Sequence, residues 1–363
     1  MKLKIKTEVL KDMVARSVKG AGNNKLIPIT SLMAIQLKAN KLTLITSDAT
    51  NYLYILEDKV PGDEFYVVVQ VEQFSKLISK LTCENVELEI TGNSLQVKGN
   101  GTYMIDIPLD ENGEYIHYPD KVEELDTSNA KDYSIHLSTI KTILASCKPS
   151  LAVTMEIPVY TNYYVGKDII ATDTSKIACY DVNLFGDDNV LISAELMNLL
   201  DVMTEENINV KVTDANIVFT TPNCIVYGYK ADGIEEYAVE AIGNLTSQEF
   251  PSKCKLNKNA LLSILDRISL FVGTYDRNAI RITFAQDGIS IESKQSNSVE
   301  HLDYVESENF NPFTLLIDIE MLVGQIKANG ADVIELQYGL DSSIKLVDGN
   351  LVQIIALLED ESE

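Results

Sequence analysis

Hydrophobic and polar positions run through the same order of periods three times along this chain. FYVVVQVEQFSKLISKL begins at Phe65, NVLISAELMNLLDVM at Asn189 and FTLLIDIEMLVGQIKAN at Phe313. Each is an apolar strand that passes without a gap into a stretch of helical period. Glu72, Glu195 and Glu320 hold the same place in the three copies, 123 and 125 residues apart. That spacing is the size of a domain and far exceeds the ~20–50 residues of a solenoid repeat. Upstream of each copy lies another helical stretch. Val9, Leu10, Met13, Val14 and Val18 form one apolar face, Leu137, Ile140, Ile143 and Leu144 a second, and Leu261, Leu262, Ile264, Leu265 and Ile268 a third. Alternating strands follow every helix, broken at Thr91-Gly92-Asn93, Asp214-Ala215-Asn216 and Asp348-Gly349-Asn350, which are turn-forming triplets. The pattern predicts helices over 8–19, 72–82, 137–148, 194–206, 258–272 and 319–328. Short turns between strands imply mostly antiparallel sheets, so the fold class is α+β with three repeated domains, each of two helices backed by sheets. Polar stretches near Lys121–Asp126 and Glu249–Cys254 place the domains at 1–123, 124–250 and 251–363.

The positions of chemical residue type have plainer explanations. Ser193 and Asp318 stand where N-caps belong, two residues before the shared glutamate. A glutamate in a first helical turn complements the helix dipole, which explains all three copies better than a catalytic role. His117, His136 and His301 have no cysteine or histidine at metal-ligand spacing, and there is no GxSxG, HExxH or GxxxxGK[ST] segment. Asp187-Asp188 and Glu205-Glu206 read as solvated surface. No catalytic residue, metal or cofactor is expected, although a hydrolase with two converging carboxylates stays open as a competing reading.

Composition adds two points. Five cysteines, Cys83, Cys147, Cys179, Cys224 and Cys254, form neither a CxxC pair nor an even framework, as suits a reducing cytoplasm. The formal net charge is −24, which by itself argues against a surface for polyanions. The charge is uneven, however. Ten basic and nine acidic residues fall in the six predicted helices, a net of +1, leaving −25 for everything else. Lysine favours helices and aspartate favours loops, which accounts for this as well as a helix-built polyanion surface would.

Several segments together resemble the bacterial beta sliding clamp family, the processivity subunits of DNA polymerase III, phage-type members included. Leu26-Ile27-Pro28-Ile29 precedes an alternating strand and the turn Thr46-Ser47-Asp48. Ala171-Thr172-Asp173-Thr174-Ser175-Lys176-Ile177-Ala178 is similar to the family's A-T-D-G-H-R-L-A, and Asp232-Gly233 ahead of Tyr237 to its D-G-x-[FY]-P-x-Y. The resemblance covers all three repeats. It implies a non-catalytic homodimer whose six domains form a ring around duplex DNA, with helices lining the hole and sheets outside. Its partners would be double-stranded DNA held topologically and without sequence preference, DNA polymerase, a clamp loader and other proteins bearing a clamp-binding motif. The alternative is an acidic decoy that mimics DNA and occupies clamp partners without encircling anything.

Carried over residue by residue, the resemblance assigns DNA contact to Lys11, Arg16, Lys19, Lys25, Lys76, Lys80, Lys141, Lys148, Lys258, Arg267 and Lys327. It assigns a partner-peptide pocket to Met155, Thr172, Thr174, Ser175, Lys176, Ile177, Ile242, Ile354, Ala356 and Leu358. It assigns the dimer interface to Tyr103, Met104, Ile105 and Ile107, opposite Leu270, Phe271, Glu300, Leu302 and Tyr304. Glu300, Asp303 and Glu306 are expected to face Lys76, Lys80 or Lys98. Three departures stand out: the family's G-H-R is Thr174-Ser175-Lys176, the family's proline after D-G-x-[FY] is absent with Glu235 and Glu236 nearby, and the chain runs on into Glu359-Asp360-Glu361-Ser362-Glu363. The 194–206 helix carries four acids and no base, so its part in DNA contact is the weakest of the six.

Overall fold

The computed structural model describes residues 1–22, 26–273, 277–294 and 298–359. The element order repeats three times. The first copy runs β1 (Lys2–Lys6), α1 (Thr7–Ser17), β2 (Leu32–Lys38), β3 (Lys41–Ser47), β4 (Tyr52–Glu57), β5 (Phe65–Gln70), α2 (Val71–Lys80), β6 (Asn85–Thr91), β7 (Ser94–Lys98) and β8 (Thr102–Asp106). The second runs β9 (Lys131–His136), α3 (Leu137–Cys147), β10 (Asn162–Val165), β11 (Ile169–Thr172), β12 (Lys176–Tyr180), β13 (Val190–Ser193), α4 (Ala194–Leu199), β14 (Asn207–Val212), β15 (Asn216–Thr221) and β16 (Cys224–Tyr229). A connecting helix, α5 (Val239–Ser247), precedes the third. That copy runs β17 (Ser252–Asn257), α6 (Lys258–Ser269), β18 (Ala279–Phe284), β19 (Gly288–Ser293), β20 (Val299–Asp303), an inserted β21 (Glu306–Glu308), β22 (Phe313–Asp318), α7 (Ile319–Ala328), β23 (Val333–Tyr338), β24 (Ser343–Asp348) and β25 (Leu351–Ala356).

The helices begin where the apolar period begins. Asp318 accepts from the Glu320 and Met321 amides and caps α7 as expected, and Asn257 caps α6 in the same way. The buried face of α1 is Thr7, Leu10, Met13, Val14 and Ser17, so the expected face is turned slightly and Val18 lies exposed past the helix end. The fourth predicted helix is shorter than its expected 194–206. It closes in a 3-10 turn at Leu200–Val202, because Met203 is extended and buried and leads the chain into β14. Glu205 and Glu206 therefore lie outside it.

Every strand pairing is antiparallel. The chain divides into two compact units, Met1–Ile140 with Glu195–Lys230, and Lys141–Ala194 with Ala231–Glu363. The first unit holds a four-stranded sheet in the order β1-β6-β7-β8 and an eight-stranded sheet β5-β2-β3-β4-β16-β15-β14-β9. The second holds a nine-stranded sheet β13-β10-β11-β12-β25-β24-β23-β17-β21 and a four-stranded sheet β20-β19-β18-β22. The long sheets form because the last strand of one repeat pairs with a middle strand of the repeat before it: β16 with β4, and β25 with β12. These two junctions share a register. Tyr227 stands opposite Tyr52 and Val226 opposite Leu53; Ile354 stands opposite Ile177 and Gln353 opposite Ala178. The core of the second unit lies between its two sheets under α6 and α7, with Phe284 stacked on Tyr338 at 3.8 Å.

Candidate functional site

Three groups of side chains follow from this framework: the outward faces of the helices, an apolar cluster behind β12 and β25, and two sheet edges.

Each helix buries one stripe against its sheets, so its charged residues point away from the core. Among the described residues, Lys11, Lys80, Lys141 and Lys327 make no ion pair; Lys80, Lys141 and Lys327 are exposed. The remaining predicted cations are engaged or tethered. Lys76 pairs with Glu72 one turn earlier and holds that carboxyl below its usual range. Lys19 lies 3.4 Å from Asp201. Lys258 donates to the Asn329 carbonyl. Arg16 is largely enclosed, donating from Nε to the Val202 carbonyl at 3.0 Å and from Nη2 to Asn223 Oδ1 at 3.3 Å. Arg267 grips Glu300 with Nε and Nη2 at 2.8 and 2.5 Å. Lys148 is exposed, and Lys25 lies outside the described residues. What each of these helix faces offers a ligand is scattered ammonium groups without a rigid fork, groups that can meet phosphates and cannot read bases.

The apolar cluster brings together Ile177, Ile242 and Ile354 from the expected pocket set, and adds Val159, Tyr164, Ile170, Leu191 and Tyr237. Ile177 and Ile354 are cross-strand partners. Ile242 is the one buried residue of α5 and closes the cluster from outside. Tyr237 anchors it: its hydroxyl donates to the Ile170 carbonyl at 3.1 Å, and its ring packs against Tyr160 and Tyr164. The tyrosines were singled out in the sequence only through Tyr237, because aromatic residues scattered over 160–237 show no local period. Met155 projects 71% exposed from the loop beside the cluster. Ala356 ends β25, and Leu358 lies beyond it, its amide bonded to the Leu316 carbonyl.

Thr172, Thr174, Ser175 and Lys176 belong to the hairpin turn between β11 and β12. Asp173 Oδ1 accepts from the Ser175 and Lys176 amides at 3.0 and 2.9 Å, Thr172 Oγ1 accepts from the Thr174 amide at 3.1 Å, and the Lys176 ammonium pairs with Asp173. The turn of the first copy is built alike. Asp48 Oδ1 accepts from the Thr50 and Asn51 amides, and Ser47 Oγ accepts from Ala49. Ala49 and Thr174 both have positive φ, +89° and +78°. The clamp family's glycine at the Thr174 position thus has a physical reason, since that backbone shape is strained for a β-branched residue.

The two edges are β8 and β20, each at the end of a four-stranded sheet. Tyr103 and Met104 are exposed on β8, whereas Ile105 and Ile107 are buried in their own core. Leu270 and Phe271 are exposed beyond α6, and Leu302 and Tyr304 are half-buried against their own core. The acids expected to wait for a partner's lysines already have neighbours: Glu300 has Arg267, Asp303 has His301 at 3.2 Å and Glu306 has Lys255 at 2.6 Å.

Comparison with known proteins agrees with this architecture. Residues 1–119 match the family model described as DNA polymerase III beta subunit, N-terminal domain. The beta sliding clamp of Bacillus subtilis (strain 168) is 23% identical over 358 residues, covering 89% of this chain and 91% of the relative. The crystal structure of the Bacillus subtilis DNA polymerase sliding clamp superposes with a TM-score of 0.85 at 18% identity, over 99% of both chains. The DNA polymerase beta subunit of Streptococcus pyogenes gives 0.87 at 16% identity, over 99% of this chain and 100% of that one. The chain carries the sequence of the beta-clamp N-terminal domain over its first 119 residues, and the fold of the bacterial beta sliding clamps from end to end.

Proposed function

We propose that two copies of this chain close head to tail into a ring that encircles duplex DNA and tethers a polymerase to it, a processivity factor with no catalytic step. The domains would be 1–123, 124–250 and 251–363. The observation that carries the reading is the repeated junction. The last strand of the second copy pairs with β4 and the last strand of the third with β12, whereas the last strand of the first, β8, is an unpaired edge. Its counterpart partner would be β20, which stands in the place of β4 and β12 and likewise ends its sheet without a further strand. A second copy supplies both missing halves at once, and a heterologous contact that closes leaves neither of these two edges free. The four unpaired lysines would then touch phosphates without sequence preference. The apolar cluster around Ile177, Ile242 and Ile354, with Met155 at its side, would receive a short peptide bearing apolar anchors from the polymerase, a clamp loader or other partners. A cytoplasmic setting fits five unpaired thiols. The decoy reading draws support from the net charge alone, and it gives no reason for two matching free edges.

The test is retention on DNA. The chain loaded onto nicked circular duplex should stay through gel filtration and be released once the circle is cut. Equal retention on circular and linear DNA would remove the topological mechanism; no retention on either would favour the decoy.

A further inference from the structure

Arg16 and Arg267 occupy the same position in the first and third copies, nine residues after Thr7 and Lys258 at the helix starts. Their contacts correspond atom by atom. Nη1 of Arg16 lies 3.5 Å from Asp12, four residues back, and Nη1 of Arg267 donates to Ser263, also four residues back, at 2.7 Å. Nε and Nη2 are what differ. In Arg16 they reach across the junction between copies, to the Val202 carbonyl and the Asn223 side chain. In Arg267 the same two atoms are held by Glu300 of the same copy. Glu300 stands on β20 where Ile55 stands on β4 and Tyr180 on β12, as the pairings Leu44–Ile55, Ile169–Tyr180 and Ile291–Glu300 show. Ile55 is fully buried at its junction and has no group to compete for the Arg16 guanidinium.

The counterparts of Val202 and Asn223 in the first copy are Ser79, in the last turn of α2, and Asn100, in the turn before β8. Carbonyls in a last helical turn lack an intrahelical donor. Asn223 and Asn100 also do the same local work: the Asn223 amide reaches Thr204 and Glu205, and Asn100 binds Thr82 and Cys83, just past the second helix in each case.

We propose that Arg267 is the cross-junction anchor of the seam between two copies, reaching the partner's Ser79 carbonyl and the partner's Asn100, and that Glu300 is its placeholder in the separate chain. Glu300 must release Arg267, or be buried with it, when the seam closes. Burying an ion pair costs most of what its attraction returns. The seam between copies is thereby built weaker than the two junctions inside the chain, which is where a ring has to open. The inference rests on the ring reading above.

The experiment measures the dimer dissociation constant by sedimentation and by subunit exchange between differently labelled copies, for wild type, E300L, E300Q, R267A and the double variant R267A/E300L. Leucine at 300 supplies an apolar side chain such as Ile55 has at the internal junction, so E300L should tighten the dimer about tenfold and slow exchange, with E300Q intermediate; a tenfold change is a modest free-energy difference. R267A should loosen the dimer, and the gain from E300L should vanish in the R267A background. Glu300 is half-buried at a sheet edge, and thermal unfolding should show all four variants folded. An E300L dimer as weak as wild type or weaker overturns the proposal, as does an undiminished E300L gain without Arg267. A wild-type chain that stays monomeric at every concentration removes the ring reading as well, which separates the two failures.

Discussion

Thr174 shows how a single residue can carry a cost that its neighbours conceal. Its amide is bonded to Thr172 and the turn around it is fully hydrogen-bonded, yet its φ is +78°. Replacing it by glycine relieves the strain without disturbing Asp173, whose carboxylate makes the turn's other bonds. T174G should stabilise the chain by about 1 kcal/mol, the left-handed penalty less the extra freedom of an unfolded glycine. Urea denaturation measures it, and an unmoved or lowered midpoint means the threonine is not strained. Such a position is illegible in the bare sequence. A threonine between Asp173 and Ser175 reads as ordinary turn chemistry, and only the resemblance to a family with glycine there points to it. Arg16 is a second case: its residue type suggested phosphate contact, and its enclosure by Val202, Asn223 and Asp12 became visible only once distant segments were placed together.

At the scale of elements, the two internal junctions predict the register of the external one. Thr102 corresponds to Ile225 and Val352, and Val299 to Tyr54 and Cys179, so Thr102 of one copy should stand opposite Val299 of the other, and Tyr103 opposite Ser298. The variant T102C/V299C should therefore form two disulfides per dimer under mild oxidation, seen as a covalent dimer on a denaturing gel. Cross-linking at T102C/H301C instead would mean a shifted register. The strands and helices of the repeats were readable because each has one buried face and a clean period: α7 runs over 319–328 as expected. The connecting helix α5 was not, since it buries only Ile242 and presents no apolar stripe. Nor was β21, whose three residues, Glu306–Glu308, are all exposed and are held at the sheet edge by Lys253 and Lys255. Elements held by one contact or by salt bridges leave no periodic trace in sequence.

At the scale of the whole molecule the proposed ring raises the question of how a chain of net charge −24 would hold DNA. The structure narrows the helix-borne charge to a few unpaired lysines, since Arg16, Lys19, Lys76, Lys258 and Arg267 are occupied. K80E/K141E/K327E should abolish retention on circular DNA while leaving the dimer and its melting temperature unchanged, because all three side chains are exposed. Wild-type retention during loading should fall steeply with salt, and the slope should shrink by about one per lysine removed. A triple variant retained like wild type would place the DNA contact elsewhere.

The continuity of the long sheets has a consequence for the idea of modularity. The repeats look like three beads in the sequence, yet β4·β16 and β12·β25 are ordinary sheet pairings with no loop between them. A segment cut at Glu123 would carry β4 as a raw edge, and the remainder would carry β16 as another. Each repeat is thus a unit of pattern and not of folding: the element order recurs three times, but a single copy taken alone would be a sheet with strands left open on both sides, lacking the neighbour that completes it.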